Sequence, residues 1–297
     1  MQFIAANLTR PLTVADVARA VHLSEFHLHR VFHDAVGESV GRFVTRRRLE
    51  TAALRIAYEP HEPITRIALD SGYSSSANFS KAFRAYFGCS PSQLREPTGA
   101  TALGKLQSQY HKAFDPSSLY AVPHALDEDA VVTEAARWRE RVRYEDSDGH
   151  TFACLASAEG YTFDALAATW AELIDRARAL ALCEDDVDAW GISHDSPDLT
   201  ASDRCRYHAC VPCAPHADLP APLFRGAMAA GRYAVFTYAG PVDAVGDAYR
   251  SIYSCWFRDS SLVPADFVPI DHYVHDEPRD GRVEMELWIR VRPKTAA

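Results

Sequence analysis

Val14-x-x-Val17-Ala18 … Leu28-x-x-x-Phe32 … Gly37 is written again as Ile64-x-x-Ile67-Ala68 … Phe79-x-x-x-Phe83 … Gly88, fifty residues on before the turn and fifty-one after it. In each copy a short apolar stripe at helical spacing leads into a second stripe that closes on a glycine, the residue that most easily ends a helix in the left-handed conformation. Each copy predicts a short helix, a tight turn and a second helix, the arrangement that seats one helix in the DNA major groove. Two copies in register rarely arise by chance, and they decide the N-terminal fold: an all-α domain with two helix-turn-helix motifs.

Outward from that stretch, Thr13 and Asp16 form a capping-box pattern, with Asp in place of the usual Glu. Val14, Val17, Ala18 and Val21 make one apolar face, His22-Leu23 the turn, and Ser24 the next cap. Leu28, Val31, Phe32 and Ala35 are expected inside, leaving Glu25, Phe26, His27, His29, Arg30 and His33 outside. In the second copy Ser75 caps, and Phe79, Ala82, Phe83 and Phe87 face inward. Ser76, Ala77, Asn78, Ser80, Lys81 and Arg84 face out. These outward types suit nucleic acid. Arg30 can fork onto a guanine edge, Asn78 can pair with adenine, and Ala77 and Phe26 can touch a thymine methyl. Lys81, Arg84, Ser76 and Ser80 suit phosphates or bases. The plainer alternative for each is an ordinary solvated helix face.

Val40 to Tyr58 reads as one connecting helix with Arg46-Arg47-Arg48 in its middle. At ~1.5 Å per residue it is about 25–30 Å long, near the ~34 Å of one DNA turn. Arg46 and Arg47 are expected on a solvated or phosphate-facing side.

Arg48-Leu49-x-x-Ala52, Ile67-Ala68, Gly72-Tyr73, Asn78-Phe79-x-x-x-Phe83 and Phe87-Gly88-x-x-Pro91-x-x-x-Arg95 resemble the signature of the AraC/XylS transcription regulators. The resemblance covers residues 3–96 almost without gaps. It implies binding to double-stranded DNA at two adjacent major grooves, with Phe26, His29 and Arg30, then Ser76, Ala77 and Lys81, at the reading positions. Here the second helix carries Ser76 and Ala77 where long polar side chains often sit.

Charge agrees with this division. The whole chain carries a formal −9, yet residues 1–97 hold 12 Lys/Arg against 9 Asp/Glu, a net of +3, and the remainder holds 19 against 31, a net of −12. No apolar run approaches the ~20 residues that span a bilayer, and the N-terminus lacks a signal peptide's regions, so no membrane partner and a cytoplasmic location are expected. Seven scattered cysteines without an export signal read as reduced thiols. Cys210-Val211-Pro212-Cys213, with Cys205 and His208 nearby, is weighed as a metal or redox cluster, but a strand with buried thiols is the simpler account. No metal and no cofactor are expected.

Pro97-Thr98-Gly99-Ala100 ends the first block (residues 1–97). Residues 98–130, with Gly99, Gly104, Pro116 and Pro123, read as a linker to a domain over 131–297. That domain holds a weaker repeat. Gly149-x-x-x-Ala153 … Gly160 … His194-Asp195-Ser196-Pro197 returns as Ala230-Gly231-x-x-Ala234 … Gly240 … His275-Asp276-Glu277-Pro278. Each copy reads strand, helix, strand, strand. The helix faces are Leu166, Trp170, Leu173, Ile174 and Ala177, then Val245, Ala248, Ile252, Cys255 and Trp256. The strands fall at 151–156, 188–194 and 205–211, then 232–238, 267–275 and 283–291. The expectation is an α+β domain of two βαββ repeats with a cleft between them. The two His-Asp pairs are weighed as dyads, but each precedes x-Pro and reads as a turn.

Ala230-Gly231-Arg232-Tyr233-Ala234-Val235-Phe236, Gly240-Pro241, Arg206-Tyr207-His208-Ala209-Cys210-Val211 and Trp256 resemble the GyrI-like effector-binding domains over about residues 140–293. The resemblance implies that a small organic effector, cationic and amphipathic, binds between the repeats against aromatic rings and an acidic residue. Here that acid is Asp271, where the family more often has Glu, and His208 stands where it often has Asp. A cation over ring faces with a buried counter-charge makes physical sense. Trp190, Tyr207, Phe236, Trp256 and Tyr273 are the ring candidates, each also a plausible core residue. The expectation is a sequence-specific, non-enzymatic regulator that binds DNA, an effector and RNA polymerase. Two alternatives are a hydrolase of small electrophiles using Asp271, His208 and Tyr273, and a C-terminal domain that makes only protein contacts.

Overall fold

Side-chain caps and left-handed residues set the helix ends in the N-terminal part. The computed structural model describes residues 2–5, 7–10, 12–59, 61–95, 128–183, 186–197, 199–200, 205–274 and 281–294, and the chain folds as two compact units. The first unit holds α1 (Gln2–Ala5), α2 (Val14–Ala20), α3 (Glu25–Val36), α4 (Val40–Tyr58), α5 (Ile64–Asp70), α6 (Ser76–Phe87) and α7 (Pro91–Arg95). Thr13 and Asp16 close the capping box: Thr13 Oγ1 accepts from Asp16 N at 3.1 Å, and Thr13 N donates to Asp16 Oδ2 at 2.9 Å. Ser24, Ser39 and Ser75 cap α3, α4 and α6 through their hydroxyls. Gly37 and Gly88, with φ of 75° and 70°, end α3 and α6.

Leu28 and Phe32 pack inward with Val17, Ala18, Phe43 and Val44. Val21 and Val31, expected inside, are 42% and 44% exposed. Val21 lies past the last residue of α2 and has left its helical face. Val31 flanks the narrow Leu28–Phe32–Val36 stripe and points beside it. On α6, Phe79, Phe83 and Phe87 form a ring ladder with centroids 5.4 and 4.6 Å apart, against Tyr73 at 5.3 Å. α4 lies between these two cores, so Leu49, Ala52, Ala53, Leu54 and Ile56 are buried rather than one stripe alone.

The expected linker lies outside the described residues except for its last three, which open α8 (Glu128–Arg139). The second unit then runs β1 (Val142–Ser147), β2 (His150–Ala156), α9 (Phe163–Ala179), β3 (Ala189–Ser193), β4 (Tyr207–Pro212), β5 (Phe224–Met228) and β6 (Gly231–Pro241). A helical stretch follows, made of Val245–Ser251, a π-helical turn Ile252–Trp256 and Phe257–Asp259. β7 (Leu262–Pro264), β8 (Ile270–Tyr273) and β9 (Arg282–Pro293) complete it. The sheet is antiparallel throughout, in the order β1-β6-β9-β8-β3-β4-β2-β5, with β7 on β9. β1, β5 and β7 were not expected from the sequence. Among the described residues no helix is long and apolar enough to cross a membrane.

Side chains alternate across the sheet, so register assigns faces. One face carries Ala153, Leu155, Tyr207, Ala209 and Val211 under Leu173 and Ala177 of α9. The same face carries Phe236, against Trp256 at 4.9 Å and Trp138 of α8 at 5.8 Å. The opposite face buries Phe152, Cys154, Trp190, Ile192, Cys210, Tyr233, Val235 and Trp288.

Candidate functional site

On the first unit the exposed faces of α3 and α6 carry the expected nucleic-acid candidates. Phe26 is 81% exposed, and Glu25, His29 and Arg30 are exposed beside half-buried His27. Arg30 Nη2 lies 3.3 Å from His27 Nδ1, one turn apart. On α6, Ala77, Asn78, Lys81 and Arg84 are exposed, and Ser76 and Ser80 half-buried. Asn78 donates to Ser74 Oγ at 3.2 Å.

Arg46 and Arg47 do not join that surface. Arg46 pairs with Glu38 at 2.7 Å and Glu50 at 3.2 Å, and Arg47 pairs with Glu50 at 3.2 Å. Glu50 is buried and also accepts from Tyr86 on α6 at 3.4 Å. A buried carboxylate needs charge partners, and these arginines supply them. Arg48 donates to the carbonyls of Leu8 and Arg10 at 2.8 and 2.6 Å. Arg46 and Arg47 are therefore engaged by carboxylates, and Arg48 ties α4 to the segment ahead of α2.

On the second unit, Asp271 of β8 sits between Gly191 of β3 and Leu287 of β9. It is buried, and Tyr249 from the helical stretch donates to its Oδ1 at 2.6 Å. Burial pushes its carboxyl up to about 7, against a smaller lowering by the Tyr249 bond. Tyr207 and Tyr273 share this face, with hydroxyls 3.2 Å apart. Trp170 of α9 meets Tyr273 at 5.2 Å and Tyr207 at 6.4 Å. Burial, then the Asp271 charge, push the Tyr273 hydroxyl up. Gly191 makes room for this cluster. A Cβ there would fall on the Tyr207 hydroxyl and come within 2.8 Å of its Cζ. Ser193, on the same face two residues on, is buried, and its hydroxyl has no hydrogen-bond partner among the described residues.

Of the seven residues expected at the effector site, Asp271, Tyr207 and Tyr273 come together. Phe236 and Trp256 share their face but pack on each other and Trp138 as core. Trp190 and His208 lie on the opposite face, because Trp190 pairs across the ladder with His272 and Cys210, one residue out of phase with Asp271. Trp190 stacks on His272 at 4.0 Å and donates to Asp188 at 2.7 Å. His208 bonds His194 at 2.8 Å, and burial pushes its imidazole down to about 4. Asp271, His208 and Tyr273 are thus not assembled as one set. Trp170, Tyr249 and Ser193 were missed as site residues. Trp170 stood on the expected helix face, and Tyr249 beside its neighbour Ala248 on the second.

The His-Asp and cysteine clusters also separate. Asp195 makes a buried two-oxygen bond to Arg206, at 2.7 and 2.8 Å, while His275 and Asp276 lie outside the described residues. Cys205 and Cys210 face opposite sides of the sheet. Among the described residues no group of three or more His, Cys, Asp or Glu is placed to hold a metal.

Comparison with known proteins follows this two-part division. The helix-turn-helix domain family matches residues 17–97, and the GyrI-like small molecule binding domain family matches residues 131–292. The chain is similar to the HTH-type transcriptional activator AarP of Providencia stuartii, 38% identical over 93 residues, 31% of this chain and 68% of that one. Regulatory protein SoxS of Salmonella typhimurium is 33% identical over 95 residues, 32% of this chain and 88% of that one. Right origin-binding protein of Escherichia coli is 30% identical over 102 residues, 34% of this chain. That last match spans about a third, 35%, of the relative's own length.

Proposed function

The chain belongs to the AraC family of helix-turn-helix regulators through its N-terminal unit and to the GyrI-like small-molecule-binding family through its C-terminal unit, and on that premise we propose that it is a sequence-specific DNA-binding transcription regulator controlled by a small organic effector. α2 with α3, and α5 with α6, are two helix-turn-helix motifs that enter adjacent major grooves of one DNA duplex. Residues 1–97 are the DNA-binding block, 98–130 the linker and 131–297 the effector domain, built from two βαββ copies. RNA polymerase is the protein partner of the bound regulator. The observation that carries the DNA reading is the pair of solvent-facing helices, α3 with Arg30 and Phe26 and α6 with Lys81 and Arg84, joined by one helix of 19 residues. At ~1.5 Å per residue that helix is about 28 Å long, comparable with the ~34 Å of a DNA turn.

Duplexes selected from a random pool by the full chain supply the operator. On that operator Arg30→Ala costs about 1–3 kcal/mol and relaxes preference at one base pair. Lys81→Ala weakens binding to all sequences alike and lowers the salt slope. Unchanged preference in the Arg30 variant at controlled salt overturns its base-reading role.

Asp271 carries the effector reading. Its carboxyl must ionise to meet a cation, so affinity for a lipophilic quaternary ammonium or phosphonium probe rises with pH until about 7 and then levels. Asp271→Asn weakens that binding and removes its pH dependence, as calorimetry would record. Equal affinity in the variant rejects the counter-charge role.

A further inference from the structure

Cys154 on β2 and Cys210 on β4 are direct cross-strand partners. Their Sγ atoms are 3.0 Å apart, and both residues are fully buried. The ladder fixes the kind of pair they form. Cys213 N donates to Thr151 O at 3.0 Å, and Ser157 N to Tyr207 O at 2.9 Å. The hydrogen-bonded pairs therefore alternate through Ala153–Val211 and Leu155–Ala209, and Cys154–Cys210 falls between them. Pro212, opposite Phe152, fits the same phase, because a proline offers no N–H to the ladder. A pair of this kind holds its Cα atoms about 4.5 Å apart. That is within the ~4.4–6.8 Å a disulfide spans, with the side chains on the same face.

We propose that Cys154 and Cys210 are a reversible dithiol–disulfide site inside the sheet, oxidised by a small peroxide. One sulfur attacks the peroxide, the O–O bond breaks, and a sulfenic acid and water form. The second thiol's sulfur then displaces the hydroxyl as water, and the S–S bond closes. Two thiols and one hydrogen peroxide give one disulfide and two waters, with two electrons passing from sulfur to oxygen. Access comes through local opening of the sheet at its β5 edge, next to β2. Phe152, Trp190 and Met228 pack in the same cluster and screen the sulfurs from bulky reagents. Burial holds the Cys210 thiol well above its ordinary range, so the reduced pair is slow to react while the sheet is closed.

The reduced full-length protein, treated with hydrogen peroxide under native conditions, acid-quenched and blocked with maleimide in denaturant, tests this by peptide mapping. The expected product is a linked peptide pair joining Cys154 to Cys210. It is lost on reduction, and it is accompanied by a higher urea midpoint for the oxidised protein. Cys154→Ala abolishes both the linked pair and the midpoint shift; should that variant fail to fold, mapping of the unmutated chain decides alone. Recovery of both cysteines in blocked form while half-buried Cys89, Cys183 or Cys213 is oxidised overturns the proposal. A Cys210–Cys213 link overturns it equally.

Discussion

His22 and Gly72 occupy the same place in the two helical pairs, fifty residues apart, and both take a positive φ, 55° and 79°. The backbone demand is shared, but the surroundings differ. A Cβ at Gly72 would come 2.8 Å from Leu8 O and 2.9 Å from the Arg48 guanidinium carbon, whereas the exposed first turn carries a full imidazole. Opposite outcomes follow from one conformation. His22→Gly stabilises the unit by about 1 kcal/mol, by removing the left-handed penalty of a side chain. Gly72→Ala destabilises it by more than about 1 kcal/mol, since strain and a backbone clash add. Urea unfolding of the two variants checks this, and shifts of the same sign would refute it.

Elements show where sequence reading works and where it stops. Caps, turn and closing glycine are local chemistry, so the starts of α2, α3 and α6 and the extent of α4 were legible, while the end of α2, short of Val21, was not. The Arg46-Arg47-Arg48 run looked like a solvated face, although Glu50 lay within reach on the same helix, because its other partners, Glu38, Leu8 and Arg10, are set by tertiary packing. Glu50 gathers two of those arginines and Tyr86, tying α4 to α6. Glu50→Ala removes the buried carboxylate that half-buried Arg46 and Arg47 share, and it lowers unfolding free energy by about 3 kcal/mol, measurable in denaturant. The central strands announced themselves by apolar alternation. β1, with Arg143, Glu145 and Asp146, shows an exposed edge pattern that no apolar period marks. At the proposed effector site, the strands carrying the ring candidates fall where the sequence put them, but assigning faces needed register. Trp190 and Asp271 are drawn from neighbouring strands, and a single residue of phase puts them on opposite sides.

Over the whole chain two buried groups of the second unit oppose each other in pH. Asp271 has its folded value raised to about 7. The folded state therefore holds a proton that the unfolded chain releases near ~3.9, and stability falls as pH climbs from about 4 to 7. His208 has its folded value depressed to about 4. The unfolded imidazole takes up a proton below ~6.5 that the folded one refuses, so stability is lost as pH falls through that window. Between about pH 4 and 6.5 the two slopes, each about 1.4 kcal/mol per pH unit at most, cancel. Relative to the unmutated chain, Asp271→Asn gains stability with rising pH, and His208→Gln loses it; parallel urea midpoints in all three would contradict this. The first unit holds a geometric setting of another kind in α4, an unbroken helix from Val40 to Tyr58. One added residue near its middle would lengthen it by only ~1.5 Å but swing everything beyond by about 100°. Seven added residues would restore the heading to within ~20°. α4 is thus a protractor before it is a ruler: small insertions change the bearing of α6 relative to α3 far more than their separation.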